Sequence, residues 1–531
     1  MTGVLPPLCR TLPGVLAEKA AADPDRPAVI ADGAITTYAV LAERANRVGN
    51  VLRALGVQAG DRVGVLMSNR AEWIEICMGT QAVGATLVPI STWSKPREIG
   101  FILADAGVRT VFAVAGFAKE DFVASIAMVV AETGVTLDHC VLVGQTRAAA
   151  PWLAYEALLR DAGAISADIA ARSQDDALIL YTSGSTSTPK AVRLIHAGLI
   201  ENGFAIGERM GLTAHDRVHV SVPLFWAYGS ANALPAVLTH GATMVLQDRF
   251  EPAAALNLIE RHGCTALYTL PPMTAAMIGD PAFAPERTAS LRTGLTTGTA
   301  QDIISAATRL GAIQICNIYG SSETYGNCCV TPGEWPLERR AACQGPPLPN
   351  VSVRIIDAVN AASVPHGEQG LIEVTGYLMP GYGGRSAALN RDVFTPDGWY
   401  RTGDIGYLTQ AGDLVFCGRQ SEMIKRAGIN VSPAEVEDVL MQHPHVAQAG
   451  VVGLPDARRG EIIVATVVVN TGASLTEADL LDHCRALAST YKAPDRILFR
   501  ASLPTTVTGK LMRNALKDGA LAAVASAGAQ S

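Results

Sequence analysis

The sequence predicts an α/β protein. A large N-terminal domain with largely parallel, helix-flanked sheets and a small β-barrel-like part precedes a small α+β C-terminal domain. Three observations carry this prediction. Up to about residue 350, short apolar runs alternate with amphipathic helical segments, the pattern of parallel strands covered by helices. Short strands separated by Gly, Pro and Asp turns come next and read as a meander or small barrel. Past Gly418 lies a compact βαβ-like unit.

The elements follow in chain order. The opening "MTGVLPPLCRTLPGVLAEKA" contains three prolines and no long apolar core, so it does not read as a signal peptide. "TTYAVLAERANRVGNVLRALGV" places Leu41, Val48, Val51, Leu52 and Leu55 on one helical face, with Thr37 to cap its start and Gly56 to end it. "DRVGVLMS" is a short apolar strand, and "GATLVPIS", "VRTVFAVA", "DHCVLVG", "ATMVLQD" and "CTALYTL" continue the alternation. "DDALILYT" reads as a buried strand and "AVRLIHAGLIENGFAIGERM" as a helix, so the loop "YTSGSTSTPK" is expected to join a strand to a helix. "VSVRIIDAVNAASVPHGEQGLIEVTG" and "GWYRTGDIGYLTQAGDLVFCGR" supply the small β part. The main boundary is placed at Gly418 to Ser421, giving domains 1–417 and 422–531 around a linker at 418–421. The Ala-rich end "LAAVASAGAQS" has no aromatic anchor and is expected to fray.

Composition sets the context. The chain has 531 residues, 49% hydrophobic and 17% charged, enough for a large core and more than one domain. A net charge of −7 argues against a nucleic-acid-binding face, while a local basic pocket stays allowed. Ten cysteines are scattered without C-x-x-C or a metal-like His/Cys spacing, which points to a reduced, cytoplasmic setting without structural zinc. No run of about 18 apolar residues occurs, so no membrane span is expected.

Five stretches carry chemistry. "YTSGSTSTPK" offers backbone N–H groups, hydroxyls and the Lys190 ammonium to one object, and a polyphosphate satisfies all three, although the same run also suits a solvated loop. "NIYGSSE" (317–323) gathers an aromatic, a glycine, hydroxyls and a carboxylate. "YRTGD" (400–404) adds an Asp in a turn. With "GRQSEMIKRAGINVSPAEVE" (418–437) and "PTTVTGKLMR" (504–513), their order and separation resemble the ANL adenylating superfamily of acyl-CoA synthetases, peptide-synthetase adenylation domains and luciferases. The resemblance runs from about residue 10 to about residue 515.

The resemblance implies a carboxylate attacking the α-phosphorus of ATP, where cations and fixed donors gather against negative charge. On that likeness Thr182, Ser183, Gly184, Ser185, Thr186 and Lys190 embrace the outer phosphates, with Thr186 among the catalytic residues, and Glu323 holds Mg²⁺. Ser322 and Gly320 lie by the α-phosphate turn; Tyr319 stacks on adenine, Asn317 bonds its amino edge, and Gly298, Thr299 and Ala300 line its other side. Asp404 accepts the ribose hydroxyls, with Arg419 nearby. Lys510 enters from the C-terminal domain for adenylation, and rotation about Ser421 replaces it with the loop around Gly428 for thioester formation with coenzyme A.

Departures from the family pattern fall at Ser187, Ala191 and Ala427, where glycines are usual, and at Ser421, where Asp or Lys is common. They keep an alternative open, an enzyme poor at adenylation that thioesterifies an adenylate made by a partner enzyme. A stand-alone loader of a carrier protein is a second alternative. Trp226 stands where amino-acid-activating relatives carry an Asp, so an unpaired ammonium is disfavoured. An apolar acid, bulky or cyclic, is expected against Phe225, Trp226, Tyr228, Gly229, Gly298, Thr324, Tyr325 and Gly326. Oligomeric state stays open, with a homodimer compatible.

Overall fold

Apolar segments too short to bury themselves assemble into two eight-stranded sheets in the computed structural model, whose described residues are 3–145, 148–163, 169–182, 189–426, 429–456, 459–487, 492–506 and 511–528. The first sheet runs Cys329–Val330, Gln314–Tyr319, Thr293–Thr296, Ala266–Tyr268, Arg217–Val220, Thr243–Leu246, Pro27–Ala31, Ala34–Thr37. Its inner pairings are parallel and only the two outermost are antiparallel. The second runs Tyr382–Gly383, Lys190–Ile195, Asp176–Thr182, Thr86–Pro89, Arg62–Leu66, Thr110–Val114, His139–Val143, Trp152–Ala154, and is parallel from Asp176–Thr182 onward. Helices cover these sheets, as the alternation predicts.

The first predicted amphipathic helix spans Tyr38–Ala54, and its Thr37 Oγ1 accepts from the Val40 amide at 3.3 Å. It buries Leu41, Val48, Val51 and Leu52. Against it lies the helix Ala71–Ala82, where a Cβ on Gly79 would stand 2.5 Å from the Val48 Cβ. Glycine there sets how closely the two helices approach.

Two sequence expectations change. "KAVRLI" is a strand, not the start of a helix: Lys190–Ile195 pairs antiparallel with Asp176–Thr182, and the helix begins only at His196. Ala191, Val192 and Leu194 are buried, and β-branched residues suit that ladder. The hydroxyl-rich loop therefore closes a hairpin. The Ala-rich stretch is also helical as far as Gly528, in the helix Arg513–Gly528 with Leu516 and Ala520 buried one turn apart, while 529–531 lie outside the described residues.

The small β part is an open antiparallel meander, Val351–Ile356, Gly370–Gly376, Tyr400–Leu408 and Leu414–Arg419, whose strand order leaves two edges instead of closing a barrel. A turn at Gln420–Glu422 leads into a five-stranded mixed sheet that begins at Ile424–Arg426. Contacts bridge this junction. The Ser432 hydroxyl donates to the Cys417 carbonyl, and Gln369 donates to Glu435 at 3.3 Å. On the C-terminal side itself, Arg513 ties Glu422 at 2.8 Å to Glu437 at 2.6 Å.

One contact works against the junction. Asp438, in the helix Pro433–Met441, has an Oδ1 without a hydrogen-bond partner among the described residues, and burial, then the charges of Glu437, Asp302 and Glu435, push its carboxyl up to about 6. Asp302 lies across the junction, in the helix Ala300–Thr308. The assembled form keeps a proton that a free carboxyl releases near 3.8, so this contribution is full below that value and lost as pH rises through about 6. Small-angle scattering should accordingly show a more compact particle at pH 5 than at pH 7.5. Asp438→Asn should remove most of the difference, on the order of 1–3 kcal/mol of docking free energy.

Candidate active site

The C-terminal ends of the first sheet and the edge of the meander meet around one carboxylate. Tyr319, last residue of the strand Gln314–Tyr319, donates its hydroxyl to Asp404 Oδ2 at 2.7 Å. Arg419 Nε lies 3.1 Å from Asp404 Oδ1, because Asp404 and Arg419 are register partners on adjacent meander strands. Asp404 is only 5% exposed. Burial and the Asp404 charge hold the Tyr319 phenol well above its usual range, so it stays a donor. Burial opposes the Arg419 charge, yet Asp404 and Glu422 prevail and raise its pKa. Phe416 stacks against Tyr319, centroids 5.5 Å apart.

Beyond Tyr319 the chain turns sharply. A Cβ on Gly320 would stand 2.5 Å from the Asn327 Cα, so glycine lets the 320–328 loop fold onto itself. The loop carries a short turn, Ser322–Thr324, in which Glu323 is half-buried. Its Oε1 accepts from the Tyr382 hydroxyl at 2.7 Å. Burial and the Glu323 charge push the Tyr382 phenol up, which keeps the proton on the tyrosine. Lys190 Nζ sits 5.5 Å from the Tyr382 ring centroid. Thr182, Lys190, Tyr382 and Glu323 thus share one neighbourhood, through the Thr182–Lys190 register and the pairing of Ala191 with Gly383. Gly298, with φ +133°, precedes the Thr299 cap of the helix Ala300–Thr308, and Asp302 accepts from the Thr299 amide at 2.8 Å.

Three sequence readings need correction. Asn317 is wholly buried and committed: it donates to the carbonyls of Arg340 at 3.2 Å and Cys343 at 3.0 Å, while its Oδ1 accepts from the Ile318 amide. It clamps its strand to the 340–343 turn instead of presenting itself to a base. Ala191 lies in a strand ladder and outside the positive-φ residues, so it carries no glycine-like strain. Tyr325 is fully buried against Gly198, its hydroxyl accepting from the Ile195 amide at 3.3 Å, and is a packing residue, not a pocket wall.

The remaining predicted wall residues divide. Phe225 and Trp226 border a cavity of about 440 Å³ with Trp93, Phe250, Thr505 and Thr506. Trp93 meets Phe225 and Trp226 edge-on at 5.2 and 4.9 Å. Tyr228, Gly229, Gly298, Thr324 and Gly326 do not border it. Tyr228 and Gly229 belong to a π-helical turn, Tyr228–Ala233, where the Tyr228 hydroxyl donates to the Thr269 carbonyl at 3.3 Å. Ser183, Gly184, Ser185, Thr186, Ser187, Ala427, Gly428 and Lys510 lie outside the described residues. Ser421 falls in the exposed turn Gln420–Glu422. The motifs did not flag Tyr382, Phe416 or Trp93; the aromatic flanked by glycines in "PGYGG" was the one usable signal.

Comparison with known proteins places this geometry. The sequence matches the family described as AMP-binding enzyme over residues 16–383 and the AMP-binding enzyme C-terminal domain over 435–510. It is 30% identical to a putative acyl-CoA synthetase, YngI, of Bacillus subtilis, over 96% of both chains. Among solved structures, ATP-bound MatB from Rhodopseudomonas palustris is similar with a TM-score of 0.85 at 27% identity, covering 96% of this chain and 99% of that one. The anthranilate CoA ligase AuaEII in complex with anthranoyl-AMP gives 0.87 at 27% identity, with 98% and 99% covered.

The Asn317 clamp is testable. Asn317→Ala strands two buried carbonyls and should lower stability to urea by about 1–3 kcal/mol, with AMP affinity measured by calorimetry changing less than about threefold.

Proposed function

The chain belongs to the AMP-binding enzyme family, in its adenylate-forming acyl-CoA synthetase and ligase branch, and from that premise we propose that it activates a carboxylic acid with ATP and passes the acyl group to coenzyme A. The observation that supports this most is the joint hold of Tyr319 and Arg419 on Asp404, at 2.7 and 3.1 Å. This donor set suits a nucleoside. It pairs an aromatic face with a buried carboxylate able to accept from vicinal hydroxyls and a guanidinium for nearby phosphate.

In the first step a carboxylate oxygen of the acid forms a bond to the α-phosphorus, the bond to pyrophosphate breaks, and acyl-AMP remains. Tyr319 and Asp404 hold the nucleoside end, while Lys190, Ser322 and Lys510 place cationic and hydroxyl donors along the phosphates. Magnesium bound through Glu323 would supply positive charge to balance the phosphate oxygens. Tyr382 holds the Glu323 carboxylate in place from one side. In the second step the coenzyme A sulfur bonds to the acyl carbon, AMP leaves, and the thiol proton passes to solvent. The cavity between Trp226 and Thr505–Thr506 suits a slender thiol arm reaching the acyl carbon past the tryptophan. Domains at 1–417 and 422–531, turning about Ser421, would exchange Lys510 for the Gly428 loop between the steps. The strand placement of Ala191 weighs against an enzyme impaired in adenylation.

Pyrophosphate exchange over a panel of acids, run beside coenzyme A thiol consumption, tests the proposal; thioester formation from synthetic adenylates without any exchange would favour the partner-dependent alternative. Glu323→Gln should raise the magnesium concentration for half-maximal exchange by about tenfold or more, read from a magnesium titration. Lys510→Ala should cut adenylation by about 10²–10³-fold while leaving thioester formation from supplied acyl-AMP within about threefold, measured as separate half-reactions.

A further inference from the structure

Unpartnered polar side chains gather on the inner side of Tyr228, away from the cavity at Trp226. Asn232 is wholly buried, and among the described residues neither its Nδ2 nor its Oδ1 has a hydrogen-bond partner. It sits four residues after Tyr228 in the π-helical turn Tyr228–Ala233, nearly one turn on, so the two share a face. The Tyr228 ring packs edge-on against Tyr268 at 5.2 Å, and the wholly buried Tyr268 hydroxyl is also unpartnered. On the other flank the Asn232 amide lies under Gly326: a Cβ built on Gly326 would approach Asn232 Nδ2 to 3.1 Å. The next residue, Asn327, is buried with a third unpartnered group, its Nδ2. Tyr228 and Gly326 themselves keep partial exposure, so the polar groups lie directly beneath an accessible surface.

Buried donors and acceptors left without partners cost stability, and a fold that keeps several together gains by meeting them with a ligand. All three side chains are neutral. A second carboxylate buried among them would lack a countercharge, and a terminal methyl would leave them unmet. A hydroxyl fits, because it donates to the Asn232 carbonyl oxygen while accepting from an amide or phenol hydrogen. We propose that the acid carries an uncharged hydrogen-bonding group, a hydroxyl by preference, at the end remote from its carboxyl, and that Asn232 is the residue selecting it. This inference rests on the acyl-CoA ligase reading, whose acid must lie beside the Glu323 turn that leads into Gly326.

The test uses matched acids: benzoate and para-hydroxybenzoate, cinnamate and para-hydroxycinnamate, hexanoate and omega-hydroxyhexanoate. For at least one pair, wild-type protein should bind the hydroxylated member about tenfold or more tightly by calorimetry and favour it similarly in kcat/KM for thioester formation. Asn232→Leu should bring that ratio within about threefold of unity, mainly by weakening the hydroxylated member. It should also leave the melting temperature of the free protein unchanged or raised, since leucine removes the unmet amide. Preference for the plain acids, equal loss of both members in the variant, or no binding of any hydroxylated acid would overturn the inference. So would a lowered melting temperature for Asn232→Leu, which would mean that structural water already serves the amide. Selective binding of a hydroxylated acid that never becomes a thioester leaves this inference standing and defeats the ligase reading.

Discussion

The site depends on one carboxylate shared between two sheets. Tyr319 ends a strand of the parallel sheet and Asp404 is a buried residue of a meander strand, so their 2.7 Å bond ties the two layers together. Neither layer alone could present that geometry. The parallel sheet supplies a buried base for the loop 320–328, while the antiparallel pairing puts Arg419 opposite Asp404. Charge and donor are then matched in a nearly dry setting, where a hydrogen bond to an ionised group is stronger than one between neutral groups.

The same economy governs the second acidic group. Glu323 is reached by Tyr382 from 59 positions away in sequence, and Tyr382 is in turn fixed because its strand pairs with the hairpin strand carrying Lys190. The carboxylate is therefore oriented by the sheet that bears Lys190. A shift of that hairpin would move Lys190, Tyr382 and Glu323 together.

Much of this was legible in the sequence, but direction and partnership were not. The strand and helix alternation of the first half shows because period-two and period-3.6 patterns are strong in buried segments; "AVRLI" misled because its apolar run flows into the helical pattern of "HAGLIENGF" without a turn residue between. The tail helix was hidden because so few large residues, chiefly Leu516, anchor an Ala-rich stretch. At the site, Tyr319, Asp404 and Arg419, which come from three separate motifs, meet in one cluster. Asn317 shows the limit: its type suits a base edge, but the 340–343 carbonyls claim it, and nothing local in "NIYG" reports that distant demand. Tyr382 was missed because "PGYGG" marks an aromatic among glycines but does not name Glu323, its partner 59 positions away.

Trp226 gives the arrangement its functional asymmetry. On one side lies an aromatic cavity with Trp93 and the C-terminal threonines, apolar and open enough for a flexible chain. On the other lies Tyr228 above a neutral polar floor, sealed and short of hydrogen-bond partners. A single uniform pocket would need only apolar residues throughout, since unmet amides lower stability without aiding the binding of a hydrocarbon. Two chemically distinct sides meeting at one tryptophan instead suit a reaction in which a thiol and an acid arrive from different directions. The asymmetry follows from the chain path: the π-helical turn carries Tyr228 and Asn232 inward, while Phe225 and Trp226, just before it, are left at the cavity.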